Sequence, residues 1–303
     1  MAGDRIPVLV GCTASGKSAA AIAFALRNTG VEIVNGDSRQ LYRGMDIGTA
    51  KPGTEERALV PHHLLDIADP DTLLSAGWYA RTAKETLGEI LARGGLPLIV
   101  GGSALYLMAL TGMTDPLPSR NDDLRSALTG LETSSPGALY RILRSLDPDT
   151  AVAHTDLVRI LRALEICLES GSRATDLRQG GNVSDSFVFV MLESEPAILR
   201  ARIDERVDRM VKDGLLAEVE GLSAAGYGRE PVLGHTIGYR EILDHMDGLC
   251  SLEEAVTAIK TNTWRYARRQ RNMFKRLPGL LRAGSPEAAA ALLDGRGANG
   301  QGQ

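Results

Sequence analysis

The chain has 303 residues, and its 34 Lys plus Arg against 38 Asp plus Glu leave a net charge of -4, which argues against a generic nucleic-acid coating protein but not against a local basic surface. Hydrophobic residues at 44% and charged residues at 24% exclude wholesale disorder and fit one large domain or two smaller ones, and aromatics at 4% leave an aliphatic core. No apolar run approaches the ~20 residues of a membrane span, and Cys12, Cys167 and Cys250 stand far apart without a CxxC pair, against a disulfide framework or a cysteine zinc site.

The N-terminal MAGDRIPVLVG is too short and too soon broken by glycine for a signal peptide, so a cytoplasmic location is expected. The first apolar run, 6–10, leads through GCTASGKS at 11–18 into an Ala-rich stretch at 19–27. That order predicts strand, glycine loop and helix. A second run, 31–34, is β-branched and ends in Asn35-Gly36-Asp37. A helix is predicted over 75–92, then a strand over 96–100 that ends in Gly101-Gly102-Ser103. Between 116 and 182 the strand signals vanish. The segments 121–131, 137–146 and 157–169 read as helices, punctuated by Pro116, Pro118, Pro136 and Pro148. A fourth strand is predicted over 187–192, and helices from 196 onward. From 283 the chain holds 5 Gly and 6 Ala in 21 residues, which allows one short helix at 286–293 in a flexible tail, 283–303. Strands alternating with helices imply an α/β fold: a P-loop core with a mainly parallel sheet flanked by helices. The core is expected to comprise 1–115 and 183–282, with 116–182 as a helical insertion.

Residues 11–18 fit G-x-x-x-x-G-K-[ST] with the flanks the chemistry needs. Gly11 and Gly16 let the backbone wrap closely, so that N–H groups along Thr13, Ala14 and Ser15 can face phosphate oxygens, and the following helix adds its positive N-terminus. Lys17 supplies a mobile charge, and the Ser18 hydroxyl can ligate Mg²⁺ between two phosphates. The loop implies a di- or triphosphate ligand and does not choose the reaction. No apolar run ends in an Asp placed like the Mg²⁺ carboxylate of a nucleotide hydrolase. Asp37 does follow a strand, where it can hold a metal, act as a general base or simply cap a turn. Over 199–210, Leu199, Ile203, Val207 and Met210 form an apolar stripe at helical spacing. Arg202, Arg206 and Arg209 lie on a neighbouring face, either aimed at phosphate or solvated and paired with Asp204, Glu205 and Asp208. Residues 264–276 carry Arg265, Arg268, Arg269, Arg271, Lys275 and Arg276 with no acid, interleaved with Trp264, Tyr266 and Phe274. Such a run suits contact with single-stranded loop RNA, or a solvated terminal helix. The histidines make no metal pattern.

Beyond the loop, ordered motifs run from Pro7 to Arg276: NGDSRQLYRGMDIGTAKP (35–52), PHHLLDI (61–67), GGSALYLMAL (101–110), RILRALEI (159–166), IGYRE (237–241) and WRYARRQRNMFKR (264–276). With them the chain closely resembles the bacterial tRNA dimethylallyltransferases, also called tRNA isopentenyltransferases. The resemblance implies transfer of a dimethylallyl group from dimethylallyl diphosphate to the exocyclic amine of the adenosine 3′ of the anticodon, in tRNAs reading codons that begin with U. It implies Mg²⁺, a loop that holds the leaving diphosphate, Asp37 as catalytic base and Arg206 as the diphosphate-contacting arginine. Ser103 stands where the family has a threonine in the middle of a channel through the core. Ser38, Arg39 and Gln40 are implied beside the flipped base, and His235, Thr236, Ile237, Gly238, Tyr239 and Arg240 in a tRNA-contacting stretch. Arg268 and Arg269 belong to the basic tail, and the insertion is expected to clasp the anticodon stem-loop with Arg125, Arg159 and Arg162. A monomer with no obligate protein partner is expected. Cys12 replaces the family's customary proline, and Asn272-Met273 its usual Thr-Trp. Two rivals share the loop: an adenylate dimethylallyltransferase, and a P-loop small-molecule kinase. The first would not need DIGTAKP, the insertion or the basic tail, and the absence of a nucleotide-binding lid signature together with the basic tail argues against the second.

Overall fold

The structure is a computed structural model that describes residues 5–113, 118, 120–177 and 186–295. The chain divides into two compact units, residues 1–107 with 185–303, and residues 108–184. The two ends expected for the insertion, 116 and 182, lie outside the described residues.

The larger unit begins with β1 (Ile6–Gly11), α1 (Lys17–Arg27), β2 (Val31–Asn35), α2 (Thr54–Leu59), β3 (His62–His63), α3 (Ala76–Ala92) and β4 (Leu96–Gly101). After β4 comes α4 (Ala104–Leu110), and the smaller unit contributes α5 (Asp122–Ser134), α6 (Ala138–Leu146), α7 (Leu157–Ser170) and α8 (Ala174–Leu177). The larger unit resumes with β5 (Phe187–Leu192), α9 (Pro196–Lys212), α10 (Leu215–Ala224), a short 3-10 turn (Leu233–His235), α11 (Tyr239–Met246), α12 (Leu252–Phe274), β6 (Leu281–Ala283) and α13 (Pro286–Leu293).

The six strands form one sheet in the order β3-β2-β4-β1-β5-β6, and every pair is parallel. Leu9, Leu98, Val190 and Leu192 pack on one face with Ala20 and Phe24 of α1 and Ala289 and Ala290 of α13. The alternate residues Val8, Val10, Ile99, Phe189 and Met191 are buried too. Both faces are therefore covered, which is why the central strands read as unbroken apolar runs. The carboxyl ends of the adjacent β2, β4 and β1 carry Asp37, Gly102 and the phosphate loop, as expected for an α/β sheet. Their backbones come close together: a side chain on Gly101 would place its Cβ 2.2 Å from the Gly36 carbonyl oxygen.

Two parts of the sequence expectation change. β3 and β6 are too short, at 2 and 3 residues, to give a periodic signal. The stretch expected as a flexible tail is core as far as α13: β6 closes the sheet beside β5, and Ala289 and Ala290 are buried against α1. Alanines pack there because a small side chain lets two helices approach, yet alanine-rich composition reads as featureless. Residues 296–303 lie outside the described residues.

In the smaller unit, Leu139, Leu143, Ile160, Leu164 and Ile166 form an aliphatic core among α5, α6 and α7. The same unit buries two carboxylates completely, Asp147, which accepts the Thr175 N–H at 2.9 Å, and Glu165. Glu165 accepts hydrogen bonds from the Asn121 N–H at 2.6 Å, from Arg125 at 3.1 Å and from Arg162 at 2.5 Å. Burial alone would raise its pKa. The Arg125 guanidinium, the Asn121 N–H and Arg162 more than offset that and hold it at about 2.

Candidate active site

The phosphate loop turns between β1 and α1 through two left-handed residues, Ala14 at φ 61 and Gly16 at φ 92. Gly11 must lack a side chain, since a Cβ there would lie 2.6 Å from the Ser15 hydroxyl oxygen. That hydroxyl is buried and meets no hydrogen-bond partner among the described residues. Lys17 opens α1 and turns its ammonium into a cavity of about 510 Å³ that Thr13, Ser18 and Asp37 also line, within the usual range of small-molecule sites. Burial lowers the Lys17 pKa and Arg206 adds to that, while Asp37 opposes them.

Asp37 is fixed by its own turn. Asn35, 4% exposed at the end of β2, accepts the Asp37 N–H at 2.9 Å and donates to the Asp37 and Leu64 carbonyls. Its own carbonyl accepts the Tyr79 hydroxyl at 2.9 Å. One Asp37 oxygen accepts the Arg39 N–H at 2.9 Å. The other faces inward: a Cβ on Gly102 would lie 3.6 Å from Asp37 Oδ2 and 3.6 Å from Lys17 Nζ. Base and ammonium thus flank one point that glycine leaves open. Ser103 is buried, accepts the Ser38 N–H at 2.8 Å and donates to the Ser38 hydroxyl at 3.0 Å. It therefore holds the turn after Asp37.

Arg206 enters the cavity from α9, one turn from the apolar Ile203, and donates to the Thr49 carbonyl at 3.4 Å. Burial lowers its pKa, against the pull of Asp37. Of the alternatives left open by spacing, the structure separates Arg206 from its neighbours: Arg209 pairs with Glu205 at 2.7 Å on the exposed face and Arg202 donates to Ser194. Gln40 donates to the carbonyls of Thr49 and Ala50 at 3.2 and 3.0 Å. This segment of DIGTAKP is in turn anchored by Glu218 of α10, whose carboxylate accepts the N–H groups of Asp46, Ile47 and Gly48 at 3.1, 2.7 and 3.1 Å.

Ser38, Arg39, His235, Thr236, Ile237, Gly238, Arg240 and Arg269 line the same cavity. Arg39 donates to the His235 carbonyl at 3.3 Å, and Arg269 lies 5.9 Å over the Tyr266 ring. Arg268 is exposed and does not line it. Tyr239, expected to touch tRNA, is fully buried, and its hydroxyl donates to Glu218 at 2.5 Å. Its place is beneath the cavity wall, because the apolar ring of the first residue of α11 packs inward. In the smaller unit, Arg125 and Arg162 have a role that spacing could not reveal, since both guanidiniums serve Glu165. Arg159 is exposed and pairs with Asp156 at 3.3 Å.

Four residues contribute in ways that the sequence did not assign, Tyr266 standing there only as one aromatic of the basic run. Glu218 and Asn35 are two of them. Tyr266 lines the cavity, and burial with Asp37 nearby pushes its phenol up to about 12, against hydrogen bonding to Ser103 and Gln270. Gln270, 3% exposed, is the fourth. Its only signal is a polar residue at a position of the buried stripe of α12, with Ala267 and Phe274 on either side.

A family model described as IPP transferase matches residues 40–277. The tRNA dimethylallyltransferase of Thermotoga petrophila is 40% identical over 275 residues, covering 90% of each chain. The tRNA dimethylallyltransferase 1 of Syntrophotalea carbinolica is 43% identical over 282 residues, covering 91% of this chain and 90% of that one. The crystal structure of the tRNA isopentenylpyrophosphate transferase of Bacillus halodurans aligns with a TM-score of 0.72 at 34% identity over 97% of both chains. A eukaryotic dimethylallyltransferase acting on tRNA aligns with a TM-score of 0.76 at 27% identity, over 94% of this chain and 75% of that one. Motif order, parallel sheet and end-to-end similarity agree, and this chain belongs to the IPP transferase family.

Proposed function

We propose that this chain transfers the dimethylallyl group of dimethylallyl diphosphate to the exocyclic amine of the adenosine 3′ of the anticodon in tRNAs reading U-starting codons. One observation carries the reading: a carboxylate, Asp37, and two cations, Lys17 and Arg206, face one cavity at the carboxyl end of a parallel sheet. That is the set of charges an alkyl transfer from a diphosphate ester needs.

The amine nitrogen attacks the allylic carbon, the carbon–oxygen bond to diphosphate breaks, and the nitrogen loses a proton. Lys17, Arg206 and the loop N–H groups stabilise charge on the departing diphosphate, except the Thr13 N–H, expected to face phosphate but donated instead to the Gln270 side chain at 2.9 Å. Asp37 accepts a hydrogen bond from the amine, orients it and takes the proton as the carbon–nitrogen bond forms. The base must leave its stack to reach the cavity, where Ser38, Arg39, Arg269 and the residues around His235 surround it. Ser18 lines the cavity with Asp37, and no cluster of three His, Cys, Asp or Glu forms a metal cage among the described residues. A hydroxyl together with diphosphate oxygens fits Mg²⁺, which retains several waters and binds through substrate phosphates. When bound by Ser18 it supplies further charge neutralisation of the leaving group. Arg159 in the smaller unit and the exposed arginines of α12 provide phosphate contacts along the anticodon stem-loop. The reaction belongs to the cytoplasm, with a single copy of the chain per tRNA.

The test supplies labelled dimethylallyl diphosphate with bulk tRNA, with AMP or with no acceptor. Label is expected in tRNA alone. Label in AMP but not in tRNA would favour the adenylate dimethylallyltransferase and overturn this reading.

A further inference from the structure

α12 buries a stripe of small and apolar side chains, and Gln270 is the one polar member of it. Both ends of its amide are engaged. The carbonyl oxygen accepts the Thr13 N–H of the phosphate loop at 2.9 Å, and the amide nitrogen donates to the Gly102 carbonyl at 2.8 Å. These partners follow β1 and β4, which are paired in the sheet. One side chain therefore ties together the two loops whose residues surround the reacting groups. One turn earlier on α12, the Ala267 carbonyl accepts the Cys12 thiol at 3.3 Å and adds a second contact to the same loop. Gly102 matters to the arrangement as well. A Cβ there would lie 2.5 Å from the Gln270 amide nitrogen.

We propose that Gln270 is a positioning residue for the diphosphate site. It commits the Thr13 N–H to α12, so the loop presents its remaining N–H groups and Lys17 to phosphate in one orientation. It also holds the Gly102 carbonyl away from the departing oxygens. Only a side chain with both a donor and an acceptor at this length can do so. Glutamate keeps the acceptor and loses the donor; methionine keeps the volume and loses both. The proposal rests on the prenyl-transfer reading, but its binding test does not depend on turnover.

The experiment measures binding of inorganic diphosphate with Mg²⁺, and separately of bulk tRNA, to the unchanged full chain, Gln270→Met and Gln270→Glu. Thermal unfolding and the KM for dimethylallyl diphosphate are read alongside. Loss of buried hydrogen bonds that orient the loop is expected to weaken diphosphate binding about tenfold and raise that KM in step. tRNA affinity should stay within about twofold, since the exposed face of α12 is untouched. Diphosphate binding unchanged in either folded variant would overturn the proposal. So would parallel losses of diphosphate and tRNA binding, or failure of both variants to fold, because those describe a general structural role. If the unchanged chain binds diphosphate but labels no tRNA, the functional reading falls while the binding comparison still decides the role of Gln270.

Discussion

Asp37 is placed by groups that do not depend on its charge. Asn35 holds its backbone on both sides, and the Arg39 N–H needs only an oxygen. Asp37→Asn can keep that geometry while removing the base, so kcat should fall by about 10²–10⁴-fold. tRNA affinity should remain within several-fold; a near-normal kcat would remove Asp37 from the proton transfer. Glu218 acts at a distance. Its two oxygens accept three backbone N–H groups and the Tyr239 hydroxyl, and the segment they hold presents the Thr49 carbonyl to both Arg206 and Gln40. Glu218→Gln replaces one acceptor by a donor that faces donors, at about 1–3 kcal/mol. Calorimetry should show a lower Tm, and kinetics a several-fold rise in KM for dimethylallyl diphosphate. Lys17 and Ser18 were legible from the loop motif, whereas Asp37 and Arg206, left open by position and spacing, were picked out by the resemblance; all four line one cavity. Glu218 and Gln270 were not legible, because their partners are contributed by remote segments: 257 positions separate Thr13 from Gln270. Only folding gives those side chains a meaning.

Among the elements, α7 shows how one face can serve an interior that local spacing does not disclose. Arg159 and Arg162 lie three residues apart, yet Arg159 is exposed at 75% and Arg162 serves a carboxylate with no exposure at all. The four long strands were legible from apolar runs, and the helices of the smaller unit from their periodicity. β3, β6 and the core role of α13 were not, since short pairings and alanine contacts leave no pattern strong enough to read. The buried Glu165 gives this unit an acid sensitivity. Its pKa is about 2 when folded, against an ordinary 4.5. A depressed folded value means that the stabilisation is fully present above 4.5 and is lost as pH falls through 2. Hydrogen exchange across α5 and α7 in the full chain should therefore quicken between pH 4.5 and 2, beyond the intrinsic pH effect, by a loss approaching about 3 kcal/mol. In Glu165→Gln the two arginines lose their counter-charge. The unit should be less stable at neutral pH, by about 3 kcal/mol or more, and this acid-dependent loss should disappear. Retention of the same acid profile in that variant would assign it to other groups.

Across the whole molecule, a net charge of -4 and an RNA partner are compatible because the charge is sorted by face. α12 turns Ala267, Gln270 and Phe274 inward and leaves Arg265, Arg268 and Arg269 exposed. Two of the three also line the cavity, so the helix that meets the phosphate loop through Gln270 also carries positive charge to that cavity. The acidic remainder of the surface limits attraction to unrelated polyanions, which favours release after modification. tRNA affinity should therefore depend on salt through a small set of arginines rather than on total charge. Each phosphate contact on single-stranded RNA contributes about 0.7 to the slope of log K against log salt. Replacing Arg265 and Arg268 together by alanine should flatten that slope by about 1.4 if each meets one phosphate. Arg81→Ala, on the exposed side of α3, should leave it unchanged. Equal flattening in both variants would mean that the whole surface attracts RNA diffusely. Flattening only in the α12 variant would place the grip on the face that borders the cavity.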